Sequence, residues 1–134
     1  MTNCCRHSPG YVFLIQKDIT RLLAATGLDL KTFQARYLRE VNLSGIGRVS
    51  LVEKANYDCI FWEEDGCSVY RYRPMQCRSY PFWSGNLISR HTWESLKSSC
   101  PGVGVGRLHS RREIDRWLRK AEENRFLSSF EEME

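Results

Sequence analysis

The chain has 134 residues with 20 basic and 16 acidic side chains, so its formal net charge is +4. Hydrophobic residues make up 42% and charged residues 27%, which excludes a disordered or fibrous chain and fits a globular one. The length predicts one domain over residues 1–134, and so small a positive charge argues against nucleic acid as a partner.

The segment at the start of the chain carries no membrane or export signal. Its longest apolar run, residues 11–15, is far too short to cross a bilayer. The preceding MTNCCRHSPG lacks the apolar region of a secretory signal. We therefore expect no membrane association and a cytoplasmic location, where thiols stay reduced.

Two short helices are predicted next. The apolar face of the first consists of Ile15, Ile19, Leu22 and Leu23. Gly27 can supply the left-handed residue that ends this helix, and Asp29 is the expected N-cap of the second. The inward-facing residues of the second helix are predicted to be Phe33, Tyr37, Leu38 and Val41.

The middle of the chain has the composition of strands. GIGRVSLVEK is one, while YDCIFW and CSVY flank the turn-like EEDG, which predicts a hairpin with one cysteine on each strand. Pro74 suits the first position of a single helical turn at PMQC. The residue before Pro81 must leave the helical region, so the chain becomes extended there.

Residues 110–134 are predicted to form a C-terminal helix and tail. HTWESLKSSCPG suggests a short helix ending near Cys100, and PGVGVG after it is a flexible connector. Ser110 and Glu113 form a capping box for the last helix, whose inner stripe is Ile114, Trp117, Leu118 and Ala121. Residues extending this packing are Phe126, Leu127 and Phe130, while the final EEME should fray.

Six cysteines are the chemically informative residues: Cys4, Cys5, Cys59, Cys67, Cys77 and Cys100. Inert packing, disulfides, redox chemistry, nucleophilic catalysis and metal ligation are the alternatives. If the cysteines only packed in the core, they should have apolar neighbours in sequence. Instead Cys67 follows a glycine and Cys77 lies between Gln76 and Arg78. Cys59 in CIFW fits core packing best, and there is no C-x-x-C pair, so spacing alone does not decide.

Gathered thiolates need compensating positive charge. A divalent metal or an iron–sulfur cluster supplies most of it. Arg71, Arg73 and Arg78 surround Cys77 in sequence and can donate to the sulfurs, which would tune the site. The alternative is that these arginines form ordinary surface ion pairs.

Three segments together resemble the YkgJ-type cysteine-cluster family, a zinc- or iron-chelating domain. They are NCCR, YDCIFWEEDGCSVYRYRPMQCRSYPFW and SCPGVGVGR. They follow the family pattern of a paired cysteine, C-x7-C, R-P-x-x-C-R-x-Y/F-P-F and a final C-P-G. The resemblance covers residues 4–112.

The resemblance implies that all six cysteines are metal ligands and that Arg73 and Arg78 lie beside the bound cofactor. The cofactor would be zinc or iron, including an iron–sulfur cluster, and thiolate ligands suit either. Family members carry further cysteines before the pair, whereas here Met1 occupies the nearer position. The fold class implied is α+β: short helices around a β-hairpin and irregular cysteine-bearing loops, stapled by metal.

Two other functions fit the same residues. An interaction module with a purely structural metal could use Trp62, Trp83, Trp93 and the tyrosines of VYRYRP against a protein partner. The other is a cluster-dependent electron carrier or an enzyme, and a catalytic zinc would keep an open position and need a nearby general base. No nucleophile–base pair stands out, His91 and His109 lacking an obvious partner, so we expect no catalytic residue.

Overall fold

The computed structural model of the chain describes residues 10–64, 66–98 and 103–133. The described residues divide into two compact units. The larger consists of residues 10–78 together with 126–133, and the smaller, residues 79–125, is inserted between those two segments of the chain.

The described part of the chain contains helices and antiparallel strands, which confirms the predicted α+β class. The helices are α1 (Gln16–Thr26), α2 (Leu30–Tyr37), α3 (Met75–Ser79), α4 (Arg90–Ser95) and α5 (Arg111–Glu123). The strands are β1 (Leu38–Leu43), β2 (Ile46–Leu51), β3 (Trp62–Glu63) and β4 (Gly66–Cys67). Single 3-10 turns lie at Tyr70–Tyr72, Ser84–Leu87, Leu96–Ser98 and Phe130–Glu132. Within the described ranges, no helix is both long and apolar enough to traverse a bilayer.

Helix α1 forms as its sequence predicts. Its apolar face is covered, with Ile19 and Leu22 fully buried. Gly27 closes it in the left-handed conformation at φ 70°, and its N–H donates to the Leu23 carbonyl at 2.9 Å. A side chain with a Cβ is strained at this φ, so glycine is the residue that ends the helix cleanly.

Helix α2 begins as predicted but is shorter than expected. The Asp29 carboxylate accepts from the Thr32 N–H at 3.1 Å. The helix ends at Tyr37, so placing Leu38 and Val41 on it was wrong; both belong to β1. β1 pairs with β2 from Leu38↔Leu51 to Leu43↔Ile46, and this ladder satisfies backbone groups that a longer helix would otherwise bond internally.

The core of the larger unit is built from distant parts of the chain. Its most deeply buried side chains are Leu14, Ile19, Leu22, Phe33 and Val49. Leu127 is also buried, and its backbone joins two segments: its N–H donates to the Leu14 carbonyl at 2.8 Å and its carbonyl accepts from Val49 at 3.0 Å. The predicted packing of the tail is therefore confirmed for Leu127.

Two expectations for the C-terminal region were wrong. Met133 does not fray: it is only 9% exposed and packs against the core of the larger unit, since its thioether side chain finds apolar neighbours there. Ala121 is exposed, although Ile114, Trp117 and Leu118 of α5 are half-buried as predicted. Helix α5 thus buries its stripe over its first two turns and leaves the third in solvent.

The start of α5 carries a cluster of charged side chains. The Ser110 hydroxyl accepts from the Glu113 N–H at 3.1 Å, confirming the capping box. Both Glu113 oxygens accept from Arg107, each at 3.1 Å, and the second also meets His109 Nδ1 at 3.0 Å. These hydrogen bonds from Arg107 and His109 lower the pKa of Glu113 to about 2.

The depressed pKa of Glu113 predicts an acid-dependent loss of stability. A carboxylate whose pKa drops from 4.5 in the unfolded chain to about 2 on folding stabilises the native state above pH 4.5. That contribution disappears as the pH falls from 4.5 toward about 2. Glu113→Gln should therefore show a shallower fall of Tm over this range, measured by circular dichroism. Glu122→Gln, exposed on the same helix, should keep the wild-type slope; equal slopes for both variants would contradict the assignment.

Candidate metal centre

Cys59 and Cys67 lie on either side of one small hairpin. Strands β3 and β4 pair as Trp62↔Cys67 and Glu63↔Gly66, so the predicted hairpin forms and Cys67 is on a strand. Cys59 is not, because β3 begins only at Trp62; Cys59 instead makes an isolated bridge with Glu53. Both cysteines are partly exposed at the edge of the larger unit's core.

Trp62 connects the backbones that carry these two cysteines. Its N–H donates to the Cys59 carbonyl at 2.8 Å, and its pairing partner across the hairpin is Cys67. The Lys54 ammonium donates to the Trp62 carbonyl. The backbone of Trp62 therefore contacts the backbones of both cysteines, and its carbonyl accepts a hydrogen bond from the Lys54 cation.

Cys77 lies on α3, whose first turn is fixed by a buried carboxylate. Asp18 Oδ1 accepts from the Met75 N–H at 2.9 Å, and Oδ2 accepts from the Ile15 N–H at 3.0 Å. The Pro74 carbonyl accepts from the backbone N–H of Arg78 at 3.0 Å. Pro74 is therefore the residue that caps this short helix, and the helix itself begins at Met75. Asp18 thus binds the start of α1 to the start of the helix that carries Cys77.

Gln76, the neighbour of Cys77, holds the N-terminal segment. Its Oε1 accepts from the Phe13 N–H at 3.0 Å, and its Nε2 donates to the Tyr11 carbonyl at 2.9 Å. One side-chain amide therefore satisfies a donor and an acceptor of the same extended segment. Residues 11–13 are fixed beside α3 by this double contact.

Arg78 is a half-buried cation beside Cys77. Its pKa is lowered, chiefly because burial penalises the charged guanidinium and because Arg21 repels it, while Asp18 and Cys77 act in the opposite direction. The pKa of Asp18 is raised by burial, against the effects of its two backbone hydrogen bonds and of Arg78. Arg73 also repels Arg78, and its guanidinium stacks 3.9 Å from the centroid of the Tyr70 ring.

The structure describes three of the six predicted ligands. Cys59, Cys67 and Cys77 all belong to the larger unit, whereas the predictions for Cys4, Cys5 and Cys100 lie outside the described residues. Among residues 10–64, 66–98 and 103–133, no three His, Cys, Asp or Glu side chains converge as a metal site would require.

The family of the chain follows from its sequence over most of its length. Residues 2–101 match the model of the CxxCxxCC family, described as "Putative zinc- or iron-chelating domain". The chain belongs to the CxxCxxCC family. The resemblance inferred from the three cysteine-bearing segments is thereby confirmed, and zinc or iron binding is the property of this domain. No solved structure matches the chain.

The CxxCxxCC domain contains three contacts that sequence reasoning missed. Asp18 was detectable, because it interrupts the apolar face of α1 between Ile15 and Leu22 at helical spacing. Gln76 is part of the RPMQCR motif, but no feature of the sequence indicates its contact with Tyr11. Nothing in the sequence pairs Lys54 with the hairpin, and its role is visible only in three dimensions.

The donors present suit the metals of the CxxCxxCC family. Sulfur ligands favour zinc and iron–sulfur clusters over the hard cations that prefer oxygen. Cys59, Cys67 and Cys77 are partly exposed, so their sulfurs are not confined to the core. Arg78 supplies a cation beside Cys77, and Lys54 supplies one on the Trp62 carbonyl, in keeping with the positive charge that a set of negative ligands requires.

Proposed function

We propose that this CxxCxxCC domain is a cytoplasmic protein that binds zinc or iron, as single ions or as an iron–sulfur cluster, through cysteine thiolates. The proposed ligands are Cys4, Cys5, Cys59, Cys67, Cys77 and Cys100. The observation that carries the proposal is the Trp62 backbone, which bonds to the Cys59 carbonyl and pairs with Cys67 across the hairpin.

The Gln76 contact supports a site shared by the N-terminal pair and Cys77. Cys5 lies six residues before Tyr11, whose carbonyl is bound to Gln76. Six residues span at most about 20 Å, so the length of the intervening chain would allow Cys5 and its neighbour Cys4 to reach α3. A metal joining these segments would act as a staple for a single domain over residues 1–134.

Metal analysis of protein purified without oxygen tests the proposal. We expect bound zinc or iron; a colourless zinc protein would exclude the cluster, and visible thiolate-to-iron absorption would favour it. Removing the metal with a chelator should lower the free energy of unfolding by at least about 2.7 kcal/mol, as expected for a ligand saturated a hundredfold above its Kd. Metal-free protein that gains no stability from added zinc or iron would contradict the proposal.

A further inference from the structure

One face of the larger unit combines basic and aromatic side chains, and we name it the Tyr–Arg surface. Its residues are Lys17, Arg21, Tyr70, Arg71, Tyr72 and Arg73. Helix α1 contacts the turn Tyr70–Tyr72, and Arg21 Nη2 donates to the Arg71 carbonyl at 3.0 Å. Lys17 lies one turn from Arg21, on the same side of α1.

Tyr70 is held in place, and both tyrosines of this surface remain accessible. Tyr70 is 61% exposed and Tyr72 is 42% exposed. Arg73 covers one face of the Tyr70 ring and donates from Nε to the Tyr70 carbonyl at 2.9 Å. A stacked guanidinium limits the motion of both side chains, so little conformational entropy remains to be lost on binding.

Asp18 attracts Arg21, but the positive charge of the Tyr–Arg surface is otherwise unmatched by ion pairs in the part of the chain that the structure describes. The acidic residue of α1, Asp18, is fully buried and accepts from two backbone N–H groups. Within the described ranges, no ion pair involves Lys17, Arg21, Arg71 or Arg73. Arg21 and Arg73 also repel Arg78, in keeping with an excess of positive charge here.

We infer that the Tyr–Arg surface docks an acidic segment of a partner protein. Arginine recognises carboxylates through paired hydrogen bonds, and tyrosine and arginine are the residue types that anchor protein interfaces. A nucleic-acid strand fits less well, because Arg73 already covers one face of the Tyr70 ring and leaves at most the other face for stacking on a base. The net charge of only +4 agrees with this choice.

Binding of a fluorescein-labelled hexaglutamate peptide to the full chain, followed by fluorescence anisotropy at low salt, tests the inference. The double variant Lys17→Glu with Arg71→Glu should weaken binding about tenfold, because each reversal replaces an attraction with a repulsion. Both side chains are exposed, so the variant should fold. Hexalysine should not bind.

Arg112→Glu with Arg116→Glu on α5 is the matched control, since it changes the net charge equally at exposed positions outside the surface. It should weaken hexaglutamate binding less than about twofold. Equal weakening by both double variants would overturn the inference, as would failure of hexaglutamate to bind better than hexalysine. Tighter binding of oligo-dT that is lost in Lys17→Glu with Arg71→Glu would also overturn it, in favour of nucleic acid.

Metal content measured on the same samples separates this inference from the proposed function. The Lys17→Glu with Arg71→Glu variant should keep the wild-type metal content while losing peptide binding. If the wild-type chain binds hexaglutamate but no zinc or iron, the docking surface stands and the metal proposal fails. If the wild-type chain binds metal but not hexaglutamate, the metal proposal stands and the docking surface fails.

Discussion

Replacing Asp18 with alanine is expected to lower the free energy of unfolding by about 3 kcal/mol. The change leaves the N–H groups of Ile15 and Met75 without their acceptor in a buried place, and each such group costs about 1–3 kcal/mol. It also removes the link between α1 and the helix that carries Cys77. Urea unfolding followed by circular dichroism measures the effect.

Two variants make the Asp18 result specific. Asp18→Asn keeps one acceptor oxygen, so about half of the loss should return. Glu40→Ala removes a comparable carboxylate, which accepts from the Phe130 N–H at 3.2 Å, but in an exposed place; it should cost less than about 1 kcal/mol because water replaces the contact. An Asp18→Ala loss no larger than that of Glu40→Ala would show that the buried contact is not important.

Cys77→Ser is expected to weaken metal binding by more than about 100-fold, exceeding the 10–100-fold that changes around a metal ligand typically cost. The reason is that a serine hydroxyl is a poor substitute for a thiolate at zinc or iron. Because metal-binding energy contributes to folding in small domains, the variant should also unfold at lower temperature. Competition with a chromophoric chelator measures the affinity.

Met75→Leu is the matched control for Cys77→Ser. Met75 is buried on the same helix, and the exchange conserves volume and leaves the sulfur of Cys77 in place. It should keep full metal content. Cys67→Ser, on the hairpin, should behave like Cys77→Ser, whereas Ser68→Ala beside it should not. Full metal stoichiometry in both cysteine variants would show that the central ligands are wrongly assigned.

Local rules of the sequence predicted three helix caps correctly. Gly27, Asp29 and Ser110 act where expected, because each cap depends on residues within one turn of it. The family motif likewise identified the chemistry, since RPMQCR is a contiguous segment. Contacts within a few residues are therefore the part of this fold that the sequence predicts.

Contacts between distant residues were the ones missed. Val41 was assigned to a helix because its apolar spacing fits either period, and only pairing with Arg48 of β2 identifies it as a strand residue. Asp18 and Met75 are 57 positions apart, and no periodicity connects them. The bridge of Cys59 with Glu53 joins residues only six positions apart, yet it too is decided by packing rather than by strand propensity.

The bonds of Leu127 to Leu14 and Val49 have a consequence for the order of events during translation. A ribosome must finish the whole inserted unit before Leu127 emerges, so the larger unit cannot complete its core while residues 79–125 are being made. The cysteines of the hairpin and of α3 are therefore synthesised before the core that supports them is complete.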